Sequence, residues 1–321
     1  PLGVGESIEI RIDGENWIKV PASDISGNSW TYRGFESRVL TEGNHTVDVR
    51  IVNSVGSPGS TDSQVVTVDT LAPSKSNQIY IDSITPDTGI ADDFVTNSNT
   101  LRFDGHFDRS LAQGEKVLIS FNGGQSWEYA TVINGTEWFY ENSNRYFDQG
   151  NYDVKVRIVD AAWNEGASAE QLVIVDTTAP TITKTVDITG VTPDTGIPGD
   201  YKTAADKFDV TGKVSSAIGN DLVKVSIDNG KTWYTVTFTD STNWTVNIGP
   251  FPNGTYNLIA QVFDKAGNGG AQDTQVLEID RSYVKQNSIT FDTITDDTGV
   301  QGDFKTKDNT LLFKGSLGNT L

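Results

Sequence analysis

The sequence predicts an all-β chain of tandem sandwich domains. Three observations predict it. Landmarks recur at a spacing of about 105 residues, one domain's worth. Short segments alternate apolar and polar residues with the period of a strand, and no stretch shows convincing helical periodicity. Turn signals punctuate each unit about every ten residues, with 31 Gly in the chain, which reads as two packed sheets.

The landmarks come first. A turn reads Pro86-Asp87-Thr88-Gly89, again Pro193-Asp194-Thr195-Gly196, and again Asp296-Asp297-Thr298-Gly299. A hairpin followed by Trp reads Asp13-Gly14 with Trp17, Asn122-Gly123 with Trp127, and Asn229-Gly230 with Trp233. Asn-Gly and Asp-Gly turn tightly because both residues tolerate positive φ. An Asp closes the last strand of each unit, at Asp69, Asp176 and Asp280.

The strands follow. Ile8, Ile10 and Ile12 match Val117, Ile119 and Phe121, and match Val223, Val225 and Ile227. Val47, Val49 and Ile51 match Val154, Val156 and Ile158, and Leu258, Ala260 and Val262. Tyr152 and Tyr256 stand where a tyrosine corner of an immunoglobulin-like β-sandwich would stand, and His45 takes that place in the first unit. Trp17, Trp127 and Trp233, and likewise Trp30, Trp138 and Trp244, recur in register and are expected in the core.

The units are expected at 4–76, 77–181 and 182–286, with 287–321 opening a fourth. The first would lack its first two strands, and 287–321 would supply only that pair. Two lone strands have no core of their own and should be disordered unless something covers them. Complementation of the first unit of a neighbouring molecule by this strand pair is the expected partner. Pro1-Leu2-Gly3 matches no repeat and is expected to be a remnant of tag cleavage. With no Met, the chain is expected to be a piece of something longer.

Composition narrows the function. Apolar residues at 36% and charged residues at 21% suit a folded, soluble protein. No apolar run nears the roughly 20 residues that cross a bilayer, so no membrane insertion is expected. A net charge of −19 repels nucleic acid and anionic lipid. Absence of Cys excludes disulfides and thiolate metal sites. An acidic excess serves solubility or binds hard cations, and the placement of the Asp residues decides between these.

In a sandwich the loop after the first strand lies at the pole where the last strand ends, and the loop before the last strand lies at the opposite pole. The first loop carries Asp87, Asp92 and Asp93, then Asp194 and Asp200, then Asp297 and Asp303. The second carries Asp160 and Asn164, then Asp264 and Asn268. At the junction of neighbouring repeats, Asp87, Asp92 or Asp93, and Asp176 should meet Asp264 and Asn268. Three or more carboxylates held close repel unless a cation relieves them. Calcium takes six to eight oxygen ligands in loose geometry, and with no Cys and only two His, zinc and copper are disfavoured. The competing explanation is turn chemistry, in which Asp and Asn bond their own backbone. Against it stands the pairing of acidic loops at facing poles, unit after unit. The first unit has Asn53-Ser54-Val55-Gly56 at its upper pole and should bind poorly there.

Val-Asp-Thr-Thr-Ala-Pro at 175–180, Asp-Xaa-Ala-Xaa-Asn at 160–164 and 264–268, and Pro-Asp-Thr-Gly followed by Asp-Phe or Asp-Tyr resemble the bacterial immunoglobulin-like repeats of giant type I-secreted adhesins and biofilm proteins. The resemblance implies a calcium-stiffened elongated rod of tandem domains, secreted and held at the bacterial cell surface. It would support host-cell or surface adhesion through the parent protein, each repeat contacting its neighbours. Loss of the metal should leave domains folded and joints loose.

An enzyme is not expected: His45 and His106 are the only imidazoles, they are not equivalent, and neither sits beside a nucleophile motif. Glycan binding is the rival reading, since Trp163 stands in the pole loop where the next unit has Gly267. The plainer expectation is that Trp163 packs on the neighbouring domain.

Overall fold

A computed structural model describes residues 1–180, 184–282 and 288–318. The boundaries expected at 181/182 and 286/287 fall outside the described residues. Among the described residues the regular structure is strands, apart from one 3-10 turn at Ala22–Asp24, and no helix is long and apolar enough to cross a membrane. The chain divides into two compact units, Pro1–Pro86 with Asn99–Val175, and Asp87–Ser98 with Asp176–Leu321.

In the second unit, residues 186–279 form a sandwich. One sheet orders Lys202–Thr203, Gly269–Ile279, Gly254–Phe263, Leu222–Ser226 and Tyr234–Thr235. The other orders Val186–Thr192, Phe208–Val214, Asn243–Ile248 and Thr237–Phe238. Side chains alternating inward from both sheets make one core, with Val223, Val225, Leu258, Ala260 and Leu277 facing Ile188, Phe208, Val210 and Trp244. In the first unit, residues 79–86 and 99–175 repeat the plan. Lys116–Ser120, Gly150–Val159 and Glu165–Val175 lie in one sheet, and Ile79–Thr85, Arg102–Phe107 and Glu137–Glu141 in the other. Each first strand carries a bulge, between Ile81 and Ser83 and between Ile188 and Gly190.

Two glycines explain how an indole enters each core. A Cβ at Gly105 would stand 2.4 Å from the Trp138 ring, and one at Gly212 would stand 2.0 Å from Trp244. The rings lie flat on bare backbone, and both are fully buried. Tyr152 donates its hydroxyl to the carbonyl of Asp148 at 2.9 Å, and Tyr256 donates to Pro252 at 2.8 Å. His45 repeats the bond with Nε2, 2.7 Å from the carbonyl of Thr41.

The remaining tryptophans depart from the core expectation. Trp17 lies half-buried between the guanidinium groups of Arg11 and Arg50, which are held by Asp48 and Glu9. Arg157 covers Trp127, and Phe263 meets Trp233 edge-on. These three rings stack against the outer face of their sheets, because their position after the hairpin is one residue out of phase with the inward set. Trp30 is exposed. Residues 7–68 form a single main sheet, Ile18–Lys19, Ser7–Ile12, Gly43–Val52 and Pro58–Val68, and Trp30 sits beside it on a two-strand ribbon, Ile25–Ser26 with Ser29–Trp30. Without an opposing pair of strands, Val47, Val49 and Ile51 are only half-buried where their counterparts are fully buried. Leu2, Ile25, Tyr32 and Phe35 give that face partial cover.

The hairpin turns also correct the alignment by one residue. Positive φ falls at Asp13-Gly14, Gly123-Gly124 and Asn229-Gly230, so the second turn sits one place after Asn122-Gly123. Within 288–318, Ser288–Ile294 pairs antiparallel with Phe313–Gly318, and this ladder and its bulge reproduce those of the first strand pairs of the two sandwiches.

Candidate functional site

The Asp-Thr-Gly loop is built the same way three times. Asp87 accepts the backbone N–H of Asp92 at 2.8 Å through Oδ2, Asp194 that of Gly199 at 2.6 Å, and Asp297 that of Gly302 at 2.7 Å. In all three the other oxygen, Oδ1, is buried and has no hydrogen-bond partner among the described residues. A carboxylate oxygen without partner is costly to bury. Burial pushes the Asp87 carboxyl pKa up against the N–H bonds it accepts, and the charges of Asp93 and Asp92 push it the same way. Ordinary turn chemistry accounts for Oδ2 and leaves Oδ1 unexplained; a bound cation would fit that oxygen.

The threonine of the motif is structural. Thr88 Oγ1 accepts the N–H of Asn97, Thr195 that of Ala204 and Thr298 that of Lys307, each between 2.8 and 3.0 Å. The loop's last Asp also bonds locally: Asp93 accepts from Val95, Asp200 from Lys202 and Asp303 from Lys305. Asp92 is exposed. Phe94, Tyr201 and Phe304 follow with φ of 59°, 57° and 57°. Left-handed backbone is unfavourable for a bulky residue, so each loop holds strain at the same place. Sequence reasoning missed this; the signal was an aromatic after Asp in three loops.

The opposite-pole loop is equally regular. Asp160 accepts Asn164 N–H through Oδ1 and Asn164 Nδ2–H through Oδ2, each at 2.9 Å, and Asp264 holds Asn268 at 2.8 and 2.9 Å. Burial opposes the charge of Asp160, but the bonds from Asn164 outweigh it and lower its pKa. Each Asn also reaches the end of a preceding last strand: Asn164 Nδ2 donates to the carbonyl of Asp69 at 2.9 Å, and Asn268 Nδ2 to that of Asp176 at 2.7 Å. In the first repeat Asn53 and Ser57 stand in this register, so both partners of the clamp are changed.

In the second unit, loop 87–98 and loop 264–268 meet. Ile90 N–H donates to Lys265 O at 3.1 Å, and Thr88 Oγ1 donates to Ala266 O. Asp176 N–H donates to Thr96 O at 2.8 Å, and its Oδ1 accepts from Thr178. The loops expected to face one another therefore do so, but the expected knot of carboxylates does not form: among the described residues no three Asp, Glu, His or Cys side chains gather as a metal cluster. The reason is local: Asp264 spends both oxygens on Asn268, and Asp176 and Asp93 spend one each on backbone N–H groups. Backbone carbonyls and the Asp87 carboxylate supply the available oxygen. In the first unit, Asp69 Oδ1 accepts from Leu71, while Glu42, which was not foreseen, accepts from Thr70. Asp280 accepts from Ser282 and Asn253.

Trp163 is 56% exposed, so it does not pack away as expected. It has φ of 71°, where the next repeat has Gly267 at 88°, and its ring lies 6.4 Å from that of exposed Tyr129.

The bacterial Ig-like domain family matches residues 76–177 and 181–281, more than half of the chain. A search among curated proteins found no match. Among solved structures, the chain is similar to fibronectin(III)-like modules of Clostridium thermocellum CbhA, at 12% identity over 63% of this chain and 94% of that one, with a TM-score of 0.35. It is also similar to a tetra-tandem repeat in the extending region of a large adhesion protein, at 16% identity over 97% of this chain and 80% of that one, with a TM-score of 0.22. With its repeated sandwiches and these two matched stretches, the chain belongs to the bacterial Ig-like domain family.

Proposed function

We propose that the chain is a stalk segment of a secreted bacterial surface adhesin of the type I-exported kind, stiffened by calcium where repeats adjoin. The observation that carries this reading is the buried, unpartnered Oδ1 of Asp87, repeated at Asp194 and Asp297. Calcium would supply the positive charge those oxygens lack, as a hard cation that accepts carboxylates and carbonyls together. Asp87, Asp194 and Asp297 would be the anchors. Asp92, Asp93, Asp176, Asp264 and Asn268 would complete the first site, and Asp200, Asp280 and Asp303 would serve the others. Asp69, Asp160 and Asn164 would form the counterpart in the first unit. Sites of this class outside cells bind with Kd of about 0.1–1 mM, so they would fill after export and stay empty inside. A stiff spacer would then hold a host-binding tip away from the cell.

Calorimetric titration with calcium, paired with small-angle scattering in calcium and in chelator, tests the reading. Binding that weakens at least tenfold in Asp87→Asn, and a maximum dimension that contracts or broadens in chelator, are expected. No heat of binding and superimposable scattering would refute it.

A second reading has one observation in its favour. Trp163 is held exposed in a strained conformation beside Tyr129, which is how an aromatic platform stacks on a sugar ring. Retention on glycan arrays that is lost in Trp163→Ala would support it.

A further inference from the structure

Two complementary halves of one sandwich occur in this chain, one in each unit. The pair Ser288–Ile294 and Phe313–Gly318 corresponds strand for strand to Ile79–Thr85 with Arg102–Phe107 and to Val186–Thr192 with Phe208–Val214. The bulge falls at the same step, after the residue opposite the glycine: Phe291 opposite Gly315, Ile81 opposite Gly105, Ile188 opposite Gly212. The apolar side chains of this pair are bare where their counterparts are covered. Ile289 is 79% exposed, against 2% for Ile79 and 3% for Val186. Leu317 is 72% exposed, against 3% for both Phe107 and Val214.

The sheet of residues 7–68 has the opposite deficit. Val66 is 43% exposed where its counterparts Val173 and Leu277 are buried. The neighbouring outward residue is exposed in all three repeats (Val65, Leu172 and Val276), so the difference belongs to the inward face alone. Ile8, Ile25, Trp30, Val49 and Ile51 line an open cleft of about 420 Å³ on that face.

Trp30 and Gly315 give the fit its register. Trp30 pairs with Ile25 as Trp138 pairs with Val132 and Trp244 with Phe238. In the complete sandwiches that Trp strand pairs with the glycine strand, Trp138 opposite Gly105 and Trp244 opposite Gly212, and the indole lies on the glycine. Here Trp30 is exposed and stands against no glycine among the described residues, and the atoms nearest the Cβ position of Gly315 are backbone atoms of Thr290 and Phe291 in place of an indole.

We infer that residues 288–318 of one molecule complete the sandwich of residues 7–68 of a second copy of this chain. Phe313–Gly318 adds to the Ser29–Trp30 edge with Gly315 opposite Trp30, and Ile289 and Leu317 pack on Val66 and Val49. Donor and acceptor are different surfaces, so the contact is head-to-tail and propagates into linear chains of molecules. The inference stands apart from the calcium reading and does not need it.

Sedimentation velocity of the 321-residue chain over a concentration series tests it, together with two single-site variants. Gly315→Val removes the indole slot on the donor, and Val66→Asp puts a charge in the acceptor face. The chain as it stands is expected to sediment as multiples of the monomer that grow with concentration. Each variant alone is expected to remain monomeric, and their mixture to recover a dimer that grows no further, since each keeps the half the other lacks. Recovery in the mixture also shows that each variant keeps its unaltered half folded and competent. A chain that stays monomeric at every concentration, variants that still assemble alone, or a mixture that stays monomeric would each overturn the inference.

Discussion

Substitution of Gly89 by Ala should open the join between loop 87–98 and loop 264–268 while sparing the sandwiches. Gly89 has φ of 80°, and a Cβ there would stand 1.9 Å from Lys265 O and 2.6 Å from Gly267 N. Both neighbours are backbone atoms, which cannot swing aside as a side chain can. The left-handed conformation costs an alanine roughly 1–2 kcal/mol. Relieving the clash separates the loops and removes the bonds from Ile90 N–H and Thr88 Oγ1, each contributing about 0.5–1.5 kcal/mol. The sum is about 2–5 kcal/mol of local stability, or roughly 30- to several-thousandfold faster exchange of the Ile90 amide at about 1.4 kcal/mol per decade. Gly196 is the internal control. It occupies the same place in the next repeat with φ of 98° and nothing within 4 Å of its Cβ, so Gly196→Ala carries only the backbone term. Hydrogen exchange on the two variants is the assay. Equal effects at the two glycines, or an Ile90 amide as protected in Gly89→Ala as before, would refute the reasoning.

Two further outcomes follow from the ionisable groups. The carbonyl of Thr41, then Asp13, raises the pKa of His45 above its ordinary 6.5, with Arg38 opposing, so its stabilising effect is fully present below 6.5 and is lost as pH rises through the raised value. Protection of the amides in 43–52 should therefore fall as pH rises above 6.5, and His45→Tyr, which restores the bond made by Tyr152 and Tyr256, should flatten that dependence; an NMR titration placing His45 at or below 6.5 would contradict this. Burial raises the Asp87 pKa, so the metal-free protein should gain local stability as pH falls through the carboxylate range, and Asp87→Asn should be neutral or stabilising in chelator yet destabilising in calcium, as read by amide protection in 87–98. A variant that destabilises equally in both would assign Asp87 to the fold alone.

The sequence by itself determined the strands, their period and the places where they turn, because alternation and positive-φ residues act over a few neighbours. Ile8, Ile10 and Ile12 align with their counterparts in the other repeats and are buried with them. It also marked the pole loops, since Asp87, Asp160, Asp194, Asp264 and Asp297 recur in fixed motifs. Tertiary structure alone decided which side of a sheet has a partner. Trp138 and Trp244 are buried because the neighbouring strand of their own sheet brings Gly105 and Gly212 beneath them, whereas Trp30, the same residue in the same register, has no such strand paired beside it among the described residues and is exposed. Trp17, Trp127 and Trp233 recur as faithfully as core residues yet lie on the outer face under arginine or phenylalanine, because recurrence records a shared environment and not its polarity. The unpartnered Oδ1 of Asp87 was equally hidden from the sequence. A carboxylate has two oxygens, and only the folded loop shows that the turn satisfies one of them and buries the other.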